Sequence, residues 1–484
     1  MRTISRNATR VDGTGAPGRP ADVAVEGARL AAVAPPGTLT GDETIEAEGR
    51  VLAPGFIDVH THDDRILLSA PDHPAKTSQG VTTVVVGNCG VSLAPLQGRP
   101  IPPPLDLIGD DGWYRFARFA DYLAALDAAP AAVNAAFLVG HMTLRAGDMD
   151  SFDRPATPAE IAAMRARLEE GLAAGAIGFS TGLFYAPSQA APTDEVVALA
   201  SALKPAGGLY CTHMRNEADD VMTSLEETFE IGRRSGVPVV ISHHKVVGQP
   251  NFGRTKETLA RIEAARLEQT VGLDVYPYHA SSTVLREILI PVARRILVTW
   301  SKARPDLAGR DLADIAREMG CDQVEAARRL QPAGAIYWTM DEADVQRVLK
   351  YPHAMIGSDG LPHDEFPHPR LWGSFPRVLG HYARELGLFG LEEAVRRMTS
   401  LPAATFGLTG RGVVRQGNHA DLVLFDPGTV IDRATFDDPM RPADGIIWVM
   451  VNGQMVWRDG RPTGARPGRA LRRQDLQAEA KAIS

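Results

Sequence analysis

Eight short apolar runs, each closed by Gly, Pro or a polar cluster, recur along the chain at 53–60, 81–88, 134–140, 176–182, 208–213, 237–243, 271–277 and 353–359. Runs of this length and composition read as buried strands. Most are separated by stretches of helical periodicity. In 158–174, Ile161, Met164, Leu168 and Leu172 recur at helical spacing behind the start signals Thr157, Pro158 and Glu160. Strand and helix alternating eight times predict an α/β fold, a TIM-like (β/α)8 barrel.

Two regions break the rhythm. Short alternating runs such as DVAVEGARLAAV near the N-terminus, and ADLVLFD and GIIWVMVNGQMVW near the C-terminus, look like hairpins with Gly turns. Since they bracket the barrel, residues 1–52 and 411–484 are expected to pair into one small β-domain, leaving 53–410 for the barrel. The stretch of about 285–350, between the seventh and eighth strands, is too long for a simple connection and carries its own helical patterns, LADIAREMG and EAARRL. It reads as an insertion at the barrel mouth, a lid or substrate wall.

A net charge of −8 with both signs interspersed argues against a nucleic-acid partner and says little about the expected small-molecule substrate. The N-terminal segment lacks the apolar core of a signal peptide, and no apolar run is long enough to span a bilayer, so a cytoplasmic protein without membrane contact is expected. Three widely spaced cysteines make a disulfide framework improbable. The oligomeric state is open between monomer and small homo-oligomer.

The chemistry lies at the strand ends. His60 and His62 stand two residues apart, and side chains at i and i+2 share a face of a strand. Cys89 follows VTTVVVGN, His213 follows GLYCT, His243 follows VPVVIS and Asp359 follows HAMIGS. Each alone has an ordinary reading: a packed cysteine, a hydrogen-bonded histidine, a capping aspartate. In a barrel, however, functional groups collect at the C-terminal ends of the strands, so all six converge on one metal site. Imidazole with thiolate suits zinc, and a carboxylate not committed to coordination can carry protons. Metal-assisted hydrolysis is the reaction class, since zinc lowers the pKa of bound water to roughly 7 and polarises a carbonyl oxygen.

The motifs GFIDVHTHDD, TSQGVTTVVVGNCGVS, GHMTLR, GAIGFSTGL, CTHMRNE, VISHHK, DVYPY and MIGSDGLPHDEFPHPRLWGSFPRVLGHY resemble those of the N-acyl-D-amino-acid deacylases, the D-aminoacylases of the amidohydrolase superfamily. The resemblance implies one tightly bound zinc held by Cys89, His213 and His243, a second, weaker metal site at His60 and His62, and Asp359 as catalytic acid and base. It assigns Lys245, Tyr276 and Arg370 to the substrate carboxylate, with ordinary salt bridging at the barrel rim as the alternative for the two cations. His141 and Ser282 are candidates for the scissile carbonyl or the side-chain pocket, with a structural role as the equal alternative. The fourth strand has no lysine to bridge two metals, consistent with a branch in which cysteine takes that place. The implied reaction is hydrolysis of N-acyl-D-amino acids, broad for neutral side chains. A D-glutamate- or D-aspartate-specific deacylase, needing a further cation from Arg286, Arg294 or Arg295, and a hydantoinase- or dihydropyrimidinase-type cyclic-amide hydrolase are the alternatives.

Overall fold

The computed structural model describes residues 1–483. Eight strands, β1 (Phe56–Asp58), β2 (Val81–Val86), β3 (Asn134–Gly140), β4 (Gly178–Gly182), β5 (Leu209–His213), β6 (Val239–Ile241), β7 (Val271–Val275) and β8 (Ala354–Ile356), pair in parallel and in sequence order. All eight expected runs are therefore strands of one barrel. Past their ends, Thr61 and Gly360 form a parallel bridge, and the Asp359 amide donates to the His60 carbonyl at 2.8 Å, drawing β8 onto β1. Ile57, Val85, Leu138, Cys211, Val240 and Met355 share one inner cluster, while Phe137, Phe179, Ile241 and Ile356 belong to the larger outer core. Burial of both faces explains why the runs are continuous rather than alternating.

The run at 53–60 divides in two. Val51–Pro54 joins a nine-stranded sheet, and only from Phe56 does the chain enter the barrel. The break is Gly55, where a Cβ would sit 2.1 Å from Thr82 Cγ2, so the close pass over β2 admits no side chain. The nine-stranded sheet draws five strands from the first 54 residues and four from 422–462. Its seam is the antiparallel pair Val51–Pro54 with Leu422–Phe425. The last helix, Arg473–Ile483, belongs to the segment expected to join this sheet but is anchored elsewhere. Leu471 and Leu476 pack in the barrel's inner cluster with Ile57 and Val85, because that helix has an apolar face to bury.

Between β7 and β8 the chain forms a three-stranded antiparallel sheet, Ser281–Val284, Ala333–Tyr337 and Ile296–Ser301 in spatial order, with helices Leu312–Met319 and Gln323–Leu330. It has its own core, including Leu285, Val298, Ile315, Leu330 and Tyr337. The excursion thus begins a few residues earlier than the expected 285 and its sheet ends at Tyr337. Helix Glu342–Lys350 packs against the helix Thr255–Arg266 and against β7 and β8, as a barrel helix does.

Candidate active site

Three of the ligand-type residues sit in left-handed backbone just beyond their strands: Cys89 at φ 53°, His243 at φ 36° and Asp359 at φ 50°. Non-glycine residues rarely adopt this region, and such strain persists where surrounding structure imposes it, often at functional sites. Here it turns each side chain inward over the barrel mouth. His60 Nε2 lies 3.2 Å from Cys89 Sγ, which lies 3.3 Å from His243 Nε2. His62 Nε2 and His60 Nε2 approach Asp359 Oδ1 at 3.2 and 3.5 Å, and the His213 and His243 rings are 4.4 Å apart. All six side chains that the sequence singled out are buried together.

Five of the six, joined by Glu217, fall into two overlapping groups of donor atoms, each within 4.8 Å: His60, Cys89, His243 and Asp359, and His213, Glu217 and His243, with His62 in neither. A set of imidazoles, one thiolate and carboxylates suits zinc. Cys89 suits it in protonation too. Burial raises a thiol's pKa, but the His60 and His243 charges and hydrogen bonds from His213 and His243 outweigh it, holding Cys89 well below the usual thiol range. Buried Cys211 has no such partners and is pushed up, an inert thiol. Burial also acts against the charged form of Asp359, but Arg370, His243 and His60 prevail and keep it ionised well below the ordinary carboxylate range.

Two carboxylates missed by sequence reasoning orient the ligand-type histidines. Asp274 Oδ2 lies 3.3 Å from His60 Nδ1, and Asp274 Oδ1 accepts from the His243 amide at 2.9 Å. Glu217 Oε1 faces His243 Nδ1 at 3.2 Å, leaving Nε2 of both rings toward Cys89. Backing carboxylates of this kind fix tautomer and ring orientation in metal sites. Faint signals existed: Asp274 shares parity with Tyr276 on β7, and Glu217 follows His213 by four residues.

The other predicted residues divide. Lys245, Tyr276 and Ser282 line a cavity of about 260 Å³ above the cluster, together with Cys89, His213, His243 and Asp359. Lys245 Nζ is paired with Glu217 at 2.8 Å. Arg370 is fully buried, its Nη1 2.9 Å from Asp359 Oδ2, its Nη2 donating to the Ser282 carbonyl at 3.1 Å and its guanidinium 4.6 Å from the Tyr276 ring. It stands behind Asp359, not among the described residues lining the cavity. His141 must be corrected. The chain enters helix His141–Asp148 directly after β3, which carries the imidazole away from the cavity to Glu195 Oε1 at 3.1 Å and Ser188 Oγ at 2.9 Å. Two further buried histidines stay out of the cluster: His244 Nε2 lies 2.8 Å from Thr258 Oγ1, and His73 meets Asp63 at 3.0 Å.

A parallel barrel whose mouth gathers histidines, a thiolate and an ionised aspartate beneath a cavity defines a metal-dependent hydrolase class of architecture. Comparison gives the family: residues 43–251 and 247–462 match the amidohydrolase family, and the chain belongs to it. It is 57% identical over 465 residues to a D-aminoacylase of Alcaligenes xylosoxydans xylosoxydans, covering 96% of each chain. Crystal structures of D-aminoacylase match with a TM-score of 0.95 at 56% identity, covering 97% of this chain and 99% of theirs, and one is described as having a binuclear metal centre. An N-acyl-D-glutamate deacylase from Bordetella bronchiseptica, complexed with zinc and a phosphonate inhibitor, matches at TM-score 0.93 and 48% identity, covering 97% of this chain and 99% of that one.

Proposed function

We propose that the protein hydrolyses the amide bond of N-acyl-D-amino acids with zinc as cofactor, releasing a carboxylate and a free D-amino acid, and favours neutral apolar side chains. The observation that carries this is the convergence of His60, His62, Cys89, His213, His243 and Asp359 beneath one cavity, in a chain that matches D-aminoacylase over its length. Cys89, His213 and His243 would hold the tighter zinc, and His60 and His62 a weaker second site.

When bound, zinc supplies Lewis acidity to the scissile carbonyl and makes water a competent nucleophile near neutrality. Asp359 rests ionised, so it takes the proton of the attacking water as the C–O bond forms and gives it to the nitrogen as the C–N bond breaks. Arg370 holds that carboxylate by its second oxygen, leaving Oδ1 toward His60 and His62. Lys245 and Tyr276, on the β6 and β7 side of the cavity, take the substrate carboxylate, with Lys245 held in place by Glu217.

Side-chain preference follows from the wall. Phe184, Val247, Ile288, Leu289 and Val292 line the cavity, with Glu217 and Asp219 as the nearby charges of the wrong sign for an acidic side chain. The arginines that could have served a D-glutamate or D-aspartate substrate are engaged elsewhere: Arg286 with the Phe184 carbonyl, Arg294 with the Met340 carbonyl and Arg295 with Asp311. The test is hydrolysis of N-acetyl-D-Met, D-Leu, D-Phe, D-Glu and D-Asp. The neutral three should turn over fastest, and a preference for D-Glu or D-Asp would overturn the side-chain assignment. The cavity residues, a single compartment at the mouth, fit a small-molecule substrate, and no described helix is long and apolar enough to cross a membrane.

A further inference from the structure

Strand order fixes which end of the substrate meets which wall. In a closed eight-stranded barrel, the strand four places on lies across the mouth, so β2 faces β6 and β3 faces β7. Lys245 follows β6 and Tyr276 lies at the end of β7. A substrate whose carboxylate sits there, with its scissile carbonyl over the central cluster, must point its acyl group across to the β2–β3 side. Beyond Cys89 of the central cluster, the residues of the β2–β3 connection that line the cavity are Val91, Pro104 and Leu107, all apolar, with Leu361 beside them from the segment after β8.

Leu107 also lines a second, more open cavity of about 800 Å³, where Ile101, Pro103, Trp300 and Pro332 stand next to it among charged walls that include Asp106, Lys302 and Glu365. The leucine is 6% exposed and stands where the two spaces abut. At about 260 Å³ the catalytic cavity is smaller than most ligand clefts, which run to ~300–1,000 Å³. It must hold amino acid and acyl group together, so the room left for acyl carbons ends at this side chain.

We propose that Val91, Pro104, Leu107 and Leu361 form the acyl subsite and that Leu107 is the specificity-determining residue at its end, restricting the enzyme to short, apolar acyl groups. This rests on the deacylase reading, which places the carboxylate at Lys245 and Tyr276. Replacing the leucine by a smaller residue joins the catalytic cavity to the larger one and admits a long chain.

The experiment compares kcat/KM for N-acetyl-, N-butyryl- and N-octanoyl-D-leucine, and for N-acetyl-D-phenylalanine, in wild type, Leu107→Ala and Leu107→Phe. Wild type should prefer acetyl to octanoyl by about tenfold or more, and Leu107→Ala should raise the octanoyl to acetyl ratio by about tenfold, since a few methylenes accepted or refused in an apolar pocket discriminate on that scale. Leu107→Phe, which opens no cavity, should lower the butyryl to acetyl ratio. The phenylalanine to leucine ratio should stay where wild type has it in both variants. Equal use of octanoyl and acetyl by wild type, acyl ratios unmoved in a folded variant, or a shift in the amino-acid ratio instead would each overturn the assignment. Failure of wild type to cleave N-acetyl-D-leucine at all would instead strike the deacylase reading beneath it.

Discussion

In the proposed reaction Asp359 and Arg370 form the pair on which turnover turns. The guanidinium lies 2.9 Å from Oδ2 and keeps the carboxyl ionised, while Oδ1 faces the histidines. Asp359→Asn should therefore retain zinc, read by metal analysis, while kcat drops by about 10²–10⁴, the range for losing a general acid and base. Near-full activity would mean another group carries the proton. Asp274→Asn and Glu217→Gln should each weaken zinc affinity by about 10–100-fold, as removal of a backing carboxylate does, measured by chelator competition. Cys89 and the histidines were legible because their types recur at strand ends. Asp274 and Glu217 were not, because a carboxylate inside an apolar run looks the same whether it caps, pairs or orients. The structural alternative for His141 could not be chosen from sequence, because nothing in GHMTLR shows that a helix starts on its first residue. Arg370 entered through resemblance alone, with no periodicity to place it behind Asp359.

At the scale of elements, the segment 281–337 is the part the sequence described least well. Its length and helical patterns were visible, yet its three strands were not, since an antiparallel sheet with its own small core needs pairing partners up to about fifty residues away, Ser281 with Tyr337 and Ile296 with Tyr337. The segment is tied to the barrel by Arg286, whose Nη1 donates to the Phe184 carbonyl at 3.0 Å and whose guanidinium lies 4.4 Å from the Phe184 ring. Phe184 itself lines the catalytic cavity. Arg286→Ala should raise KM for N-acetyl-D-leucine by about tenfold, equivalent to about 1.4 kcal/mol, with little change in thermal midpoint, because the segment keeps its own core. A fall in midpoint without a change in KM would place the role of Arg286 in stability instead.

At the scale of the molecule, the eightfold repeat made the barrel readable, because burial on both faces leaves continuous apolar runs. How the barrel is closed was not readable, because closure depends on a polar knot between residues about three hundred apart. Lys76 Nζ donates to Asp58 Oδ2 and to Ser358 Oγ, each at 2.7 Å, and lies 3.6 Å from Asp63, while the Ser358 amide donates to Asp58 Oδ1 at 2.8 Å. Lys76→Met leaves Asp58 without its cation and Asp63 with His73 alone, and should cost about 3–5 kcal/mol at neutral pH by chemical denaturation. Burial alone would raise Asp63, but Lys76 and His73 lower it to about 2 from an ordinary 3.8. A depressed carboxyl stabilises the fold above its unfolded pKa and loses that contribution as pH falls through the folded one. The gap between wild type and Lys76→Met should therefore shrink from pH 4 toward pH 2, and a constant gap would show that Asp63 is not the linked group. Metal, amide and handedness are tested together by acetate release from N-acetyl-D-leucine and N-acetyl-L-leucine, with zinc-loaded and chelator-stripped protein. Release from the D-enantiomer alone, lost on stripping and restored by zinc, is the predicted result, and release from the L-enantiomer alone, or release indifferent to zinc, would contradict it.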